Sequence, residues 1–298
     1  MSEKWLEVWR ASTILPGYIA CIERKRDVIT QIWKKMRAVN RQSDVSRHVS
    51  ILLQADPGVG KTFLAQKLAG QLGFDLVQHD VTQMIRRDDL LSFFDMIATK
   101  QAESRKPVLV CVDEINAPLD GDHVYGAFLA PIEGGYYIRG GVKYWLRPCV
   151  WLFAGTGRDE QQSRIEDKYN DFESRLSLKV EIDYKSLSKY YGDDGHKQLE
   201  YEASLEQVYL GAAMIHDAFP DVCEIEQTIL NAFWHLPGDQ APARRIRKLA
   251  WSLENVQHRT VRWENCSSHE WSQARNEWSQ ARDGLGDSVR EMVKLDFG

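Results

Sequence analysis

The chain has 298 residues, 43% of them hydrophobic and 27% charged, with a formal net charge of -5. That make-up suits one large globular domain or two small ones, and its acidic balance gives no global attraction to nucleic acid or an anionic membrane. Five cysteines without metal-ligand spacing, no apolar run long enough to span a bilayer and no signal-peptide organisation at Met1–Trp5 suggest a reducing, cytoplasmic setting with no membrane partner.

Residues 1–20 are mixed and aromatic. A basic helix is expected from Ile22 to about Arg37, with Val28, Ile29, Ile32 and Trp33 on one face. Its charges (Arg24, Lys25, Arg26, Lys34, Lys35, Arg37) suggest anion binding or, more economically, a solvated face. The apolar run Val49–Gln54 then reads as a short buried strand. Ala55-Asp56-Pro57-Gly58-Val59-Gly60-Lys61-Thr62 follows, and Phe63–Ala69 continues as a helix with Leu64, Leu68 and Leu72 at i, i+4 spacing. A strand, a glycine-bearing loop ending in Gly-Lys-Thr and a helix form the context of a phosphate-binding loop. Loop and helix-start N–H groups point at an anion there, and the helix dipole favours negative charge. Lys61 is expected to reach the β/γ-phosphates and Thr62 to ligate Mg²⁺. Ala55 stands where the strict pattern has glycine, which is tolerable if its φ is not positive.

Phe74–Gln78 reads as a second strand, 83–89 as a polar loop, and Leu90, Phe94 and Ile97 as one face of a helix. Val108–Val112 is a continuous apolar run, the mark of a strand buried on both faces, and it ends in Asp113-Glu114. Acids at the carboxyl end of a parallel strand sit where such sheets bind ligands. Asp113 fits the Mg²⁺-positioning acid, and Glu114 the base that polarises an attacking water. A helix over Asp122–Ile132, a Gly140-Gly141 hairpin within Tyr136–Trp145, a strand Val150–Ala154 ending in Gly155-Thr156-Gly157, and a polar helix follow. A last strand, Leu178–Ile182, closes the sheet. Strands alternating with helices imply a parallel sheet with helices on both faces.

Residues 186–203 read as a polar linker before helices over Leu205–Ala218, around Ile225–Phe233, and over Ala243–Val256. In the tail, Glu270–Arg275 recurs as Glu277–Arg282, one heptad on, so Trp271 and Trp278 share a helix face. Such a helix either docks a partner or packs on its own domain.

From about residue 16 to 260, the chain resembles the AAA+ ATPases. The resemblance rests on the phosphate loop, Asp113-Glu114, the hairpin, Thr156, Arg175 before the last strand and a helical end. The hairpin is similar to one in the branch that includes unfoldases, enhancer-binding activators and MoxR-type ATPases. The resemblance implies an α/β P-loop NTPase core with a small α-helical lid. It divides the chain into an N-terminal segment (1–48), a nucleotide-binding core (49–185), a lid (186–260) and a helical tail (261–298). ATP is expected at Asp56, Pro57, Gly58, Val59, Gly60, Lys61, Thr62 and Phe63, with adenine beside Tyr18 and Ile19, and Mg²⁺ at Thr62 and Asp113. Lys61, Glu114, Thr156 (a sensor) and Arg175 (a finger reaching a neighbour's ATP) are the catalytic set. Arg244 is the lid arginine, with Arg245 as alternative. The implied protein is a hexameric ATP hydrolase that remodels or regulates a protein encoded separately. An ATP-gated scaffold and a DNA-handling ATPase remain as rivals.

Overall fold

The computed structural model describes residues 13–41, 48–156, 166–236, 242–256, 259–274 and 292–294. A short hairpin, β1 (Thr13–Leu15) and β2 (Tyr18–Ile19), leads into α1 (Glu23–Arg41). The central elements are β3 (Val49–Gln54), α2 (Lys61–Leu72), β4 (Asp75–Asp80), α3 (Arg87–Glu103) and β5 (Val108–Asp113). A tight hairpin, β6 (Pro118–Leu119) and β7 (Asp122–His123), precedes α4 (Tyr125–Gly134). A second hairpin, β8 (Tyr136–Arg139) and β9 (Val142–Trp145), precedes β10 (Val150–Gly155), α5 (Glu166–Ser174) and β11 (Leu178–Glu181).

Five strands form one sheet in the order β11-β3-β10-β5-β4, and every neighbouring pair is parallel. Their sequences explain why they lie inside. Val108–Val112 and Val150–Gly155 are buried throughout, as strands covered on both faces must be. Side chains alternate between faces along each strand. Val110, Val112, Trp151 and Phe153 pack with Phe93, Phe94 and Ile97 of α3, Phe128 of α4 and Phe172 of α5. Leu109, Cys111, Leu152 and Ala154 are buried on the alternate face, and α2 packs against β4 and β5. The Phe94, Phe128, Trp151 and Phe153 rings meet mostly edge to face, which adds specificity to the apolar burial.

Four expectations need correction. The run 83–89 is not all loop, because α3 begins at Arg87. The Asp89 carboxylate accepts from the Ile85 and Arg86 N–H groups, at 2.7 and 2.9 Å, so acids that look like loop residues cap a helix. The helix expected from Asp122 begins at Tyr125. Asp120 and Gly121, both at positive φ, instead turn the chain so that Asp122 and His123 pair with Leu119 and Pro118. The linker expected over 186–203 is helix. It belongs to α6 (Tyr184–Ala218), which is interrupted at Gly192 (φ 66). Its polar residues mask a buried side, where Leu187 and Leu199 pack on Ile22. Finally, the end of the chain is not only helical. Beyond β12 (Glu224–Glu226), α7 (Gln227–Trp234) and α8 (Pro242–Trp251), two further strands, β13 (Thr260–Val261) and β14 (Met292–Lys294), flank β12.

Two compact units divide the described residues. One takes stretches 27–56 and 60–186, and the other takes 1–26, 57–59 and 187–298. In the second, Trp271 is fully buried with Ile225, Phe233 and Leu249, and its Nε1 donates to the Leu249 carbonyl at 2.9 Å. The first heptad copy therefore packs on its own unit, while Trp278 lies outside the described residues. No helix among the described residues is long and apolar enough to cross a membrane.

Candidate active site

The carboxyl ends of β3, β5 and β10 bring most of the expected chemistry together. The chain leaves β3 at Gln54 and re-enters helix at Lys61. Between them Gly58 and Gly60 take φ of 80 and 89, conformations that side-chain-bearing residues rarely adopt. At Gly60 an added Cβ would meet nothing within 4 Å, so glycine is required there by backbone geometry rather than space. Ala55 keeps a non-positive φ, which is why it can replace glycine. Its N–H donates to the Gly155 carbonyl at 3.0 Å and ties the loop's start to β10.

Lys61 is 7% exposed, and its Nζ donates to the Ala55 carbonyl at 3.1 Å. An ammonium has three donors. One holds the side chain folded over the loop, and the others are available to an anion. Thr62 Oγ1 donates to Asp113 Oδ2 at 2.6 Å, so the two oxygen ligands expected for Mg²⁺ already touch. Asp113 Oδ1 accepts the Glu114 N–H at 3.1 Å. Glu114 itself has φ 50, an uncommon conformation for a non-glycine residue. This backbone turn, closed by the Ala117 N–H on the Glu114 carbonyl at 2.8 Å, lifts Glu114 off the line of β5.

Thr156, at the end of β10, is linked to this turn by Asn116, a residue the sequence analysis did not single out. Asn116 Nδ2 donates to Thr156 Oγ1 at 2.9 Å and to the Thr156 carbonyl at 3.2 Å. A polar residue just past two strand-end acids was the available signal, but its partner became evident only when β5 and β10 were adjacent.

The oxygen set fits a hard cation. Among the described residues no group of three or more His, Cys, Asp or Glu could cage a metal, and Mg²⁺ characteristically takes one or two protein oxygens and completes its shell with phosphates and water. A hydroxyl and a carboxylate in contact beside an anion-seeking loop match that requirement.

Of the remaining expected residues, Arg175 lies away from these strand ends. Arg175 pairs with Glu133 Oε2 at 2.8 Å and with the Asp171 carboxylate. Its carbonyl accepts from Ser50 Oγ at 3.0 Å, beside the amino end of β3. Four strand steps, ~13 Å, separate Ser50 from Gln54 at the start of the loop, so Arg175 is remote from the Lys61 end of its own chain. Tyr18 and Ile19 are buried, Ile19 against Cys21, Leu205 and Tyr209. They belong to the unit that holds 187–298, as does Arg244, which is exposed on α8. Asp56 is half-buried, and Phe63 is 41% exposed with Lys67 Nζ 4.9 Å above its ring. In the basic helix α1, Lys25 is 5% exposed and ion-paired to Glu206, Arg26 donates to the Cys21 carbonyl, and Arg37 lies over Trp33. These three charges are thus engaged within the fold, buried Lys25 departs from a solvated face, and Lys34 and Lys35 are exposed.

Residues 51–125 match the family model described as ATPase family associated with various cellular activities (AAA). That stretch carries Lys61, Thr62, Asp113, Glu114 and Asn116. Among solved structures, a proline-to-glycine variant of Thermotoga maritima RuvB is similar at 18% identity and TM-score 0.53, over 85% of this chain and 71% of that one. The fold is that of an AAA+ P-loop NTPase. Another solved chain, the Thermotoga maritima RuvB Holliday junction branch migration motor, has 18% identity and TM-score 0.47, over 80% of this chain and 66% of that one. No curated protein matches. For this AAA+ fold, the family match points to ATPase activity at the level of the family.

Proposed function

We propose that this chain is an ATPase that binds Mg-ATP on the loop from Asp56 to Phe63 and hydrolyses it at the interfaces of a homo-oligomeric ring of six. The observation that carries the reading is the 2.6 Å contact between Thr62 Oγ1 and Asp113 Oδ2, beside a buried Lys61 with donors to spare. Lys61 and the loop N–H groups bind the phosphates and stabilise charge as it moves to the leaving oxygens. Thr62 and Asp113 would hold Mg²⁺, which supplies charge neutralisation between the β- and γ-phosphates. Glu114 orients and polarises the attacking water, and Thr156 donates a hydrogen bond to that water or to phosphate.

Arg175 completes the charge stabilisation in a neighbouring subunit, a role supported by its distance from its own loop. Tyr18, Ile19 and Arg244 contribute the adenine pocket and the lid contact. The work is the remodelling or regulation of a separately encoded protein. The β8–β9 hairpin supports that output and the hairpin-bearing branch of the family, because it exposes Ile138 (55%) and Trp145 (68%) rather than burying them.

Changing Glu114 to Gln tests the assignment. The variant is expected to keep nucleotide affinity within about twofold and to lose turnover by about 10²–10⁴-fold, the usual worth of a positioned base. Turnover at the wild-type rate overturns it. A second reading, a DNA-handling ATPase, draws on the exposed Lys34 and Lys35 and on Lys143 beside Trp145. Stimulation of turnover by DNA, with a salt-dependent mobility shift, would replace the protein-remodelling reading.

A further inference from the structure

The turn after β5 and the end of β10 are joined by three hydrogen bonds. The Ile115 N–H donates to the Ala154 carbonyl at 3.0 Å. One residue on, the Asn116 amide reaches Thr156 with two bonds, to the carbonyl at 3.2 Å and to Oγ1 at 2.9 Å. A backbone carbonyl can only accept, so the Thr156 carbonyl fixes which end of the Asn116 amide faces it. Thr156 Oγ1 is then an acceptor on that side, and its own proton is directed elsewhere. Asn116 Oδ1, on the far side of the amide, is buried with no hydrogen-bond partner. The Asn116 amide thus directs its donor bonds at Thr156 and leaves its acceptor unpaired.

Gly155 carries the same message. Its φ is not positive, so glycine is not needed there for the backbone. A Cβ at 155 would instead lie 2.3 Å from Asn116 Oδ1 and 3.2 Å from Ile115 Cγ2. Glycine at 155 makes room for the Asn116 side chain.

We propose that Asn116 is a positioning residue that turns the Thr156 hydroxyl into a donor aimed at the nucleotide and couples it to the Glu114 turn, so that Thr156 and Glu114 act as one unit. The proposal rests on the ATPase reading. It assigns Asn116 no contact with the reacting atoms. Glu114 is two residues away through a turn with one strained backbone conformation, and Thr156 is bonded directly. A shift of either strand end therefore moves both groups together.

The experiment is a cycle of Asn116→Ala, Thr156→Val and their double variant, read by steady-state ATPase rate and by affinity for a non-hydrolysable ATP analogue. Asn116→Ala is expected to lower kcat about 10–100-fold, the scale of a small misplacement at a reacting centre, with analogue affinity within about twofold. In the Thr156→Val background, Asn116→Ala should cost no more than about twofold. Gly155→Ala should reproduce the Asn116→Ala loss and add nothing to it in the Gly155→Ala/Asn116→Ala double variant. Asn116→Ser provides the same readings should the alanine variant fail to fold. A wild-type kcat in Asn116→Ala, or losses that multiply across the cycle, overturns the proposal while leaving the ATPase reading intact. A wild-type chain that hydrolyses no ATP overturns both.

Discussion

At the carboxyl ends of β3, β5 and β10, Lys61 has one hydrogen bond to a loop carbonyl, Thr62 and Asp113 share one contact, and Asn116 Oδ1 is buried without a partner. At the amino ends of the same strands, polar groups are closed off. His48 Nδ1 accepts from Trp151 Nε1 at 3.2 Å and from the Cys149 N–H at 3.4 Å. Gln101 exchanges two bonds with the Arg147 backbone, at 2.7 and 2.9 Å. Burial pulls the His48 imidazole down to about 4 and pushes the Cys149 thiol up. These three strands thus have a working end, whose groups remain available to a ligand, and a structural end, where His48 and Gln101 are bonded within the fold. Substitutions at the first should cost rate, and substitutions at the second should cost stability.

Arg175 is the sharpest challenge to that division. It sits toward the structural end, beside Ser50, yet its side chain is 28% exposed and held by the exposed acids Glu133 and Asp171. Exposed pairs of this kind hold a side chain weakly, so a neighbour's phosphate can compete for it. Arg175→Ala is expected to lower kcat by about 10³-fold or more, the scale measured for arginines supplied in trans, with little change in urea stability. Mixing inactive Arg175→Ala with inactive Lys61→Ala should restore part of the activity, because each supplies what the other lacks. Mixtures as inactive as their components would return Arg175 to a purely structural role.

His48 sharpens the other side. Its folded value of about 4 lies below the ordinary 6.5. Between those values the unfolded chain binds a proton that the folded chain refuses. This contribution is therefore complete above pH 6.5 and lost as pH falls toward 4. Urea midpoints at pH 7.5 and 4.5 should show a pH-dependent loss about 2 kcal/mol smaller in His48→Gln than in the wild type. An equal loss in both would mean that His48 is not sealed. Trp151→Phe removes one donor to His48 and also shrinks a fully buried core side chain, so it should cost about 2 kcal/mol while leaving kcat unchanged. A fall in kcat there would blur the distinction between the two ends.

Much of the core was legible because a strand buried on both faces is a continuous apolar run. Val49–Gln54, Val108–Asp113 and Val150–Gly155 match their expected spans to within a residue. The β8–β9 hairpin was legible for a different reason. Gly140 and Gly141 take φ of 55 and 80, the positive values that a two-residue turn needs. Other elements carried no such signature. The polar surface of 186–203 hid a helix whose buried side is sparse, and β12, β13 and β14 are too short to display a period. The acids at 88 and 89 served a helix start instead of a loop.

By itself, the sequence determined the glycine-bearing loop, the acids at the end of β5, and most of the strands and helices of the central sheet. These depend on local backbone demands and on apolar runs, which are written in consecutive residues. Only the tertiary structure decided that Thr62 meets Asp113, that Asn116 ties Thr156 to the Glu114 turn, and that Arg175 is remote from its own loop. Each of those depends on which strands lie side by side in the order β11-β3-β10-β5-β4, and that adjacency comes from packing Trp151, Phe153, Phe94 and Phe128 into one core rather than from any single segment.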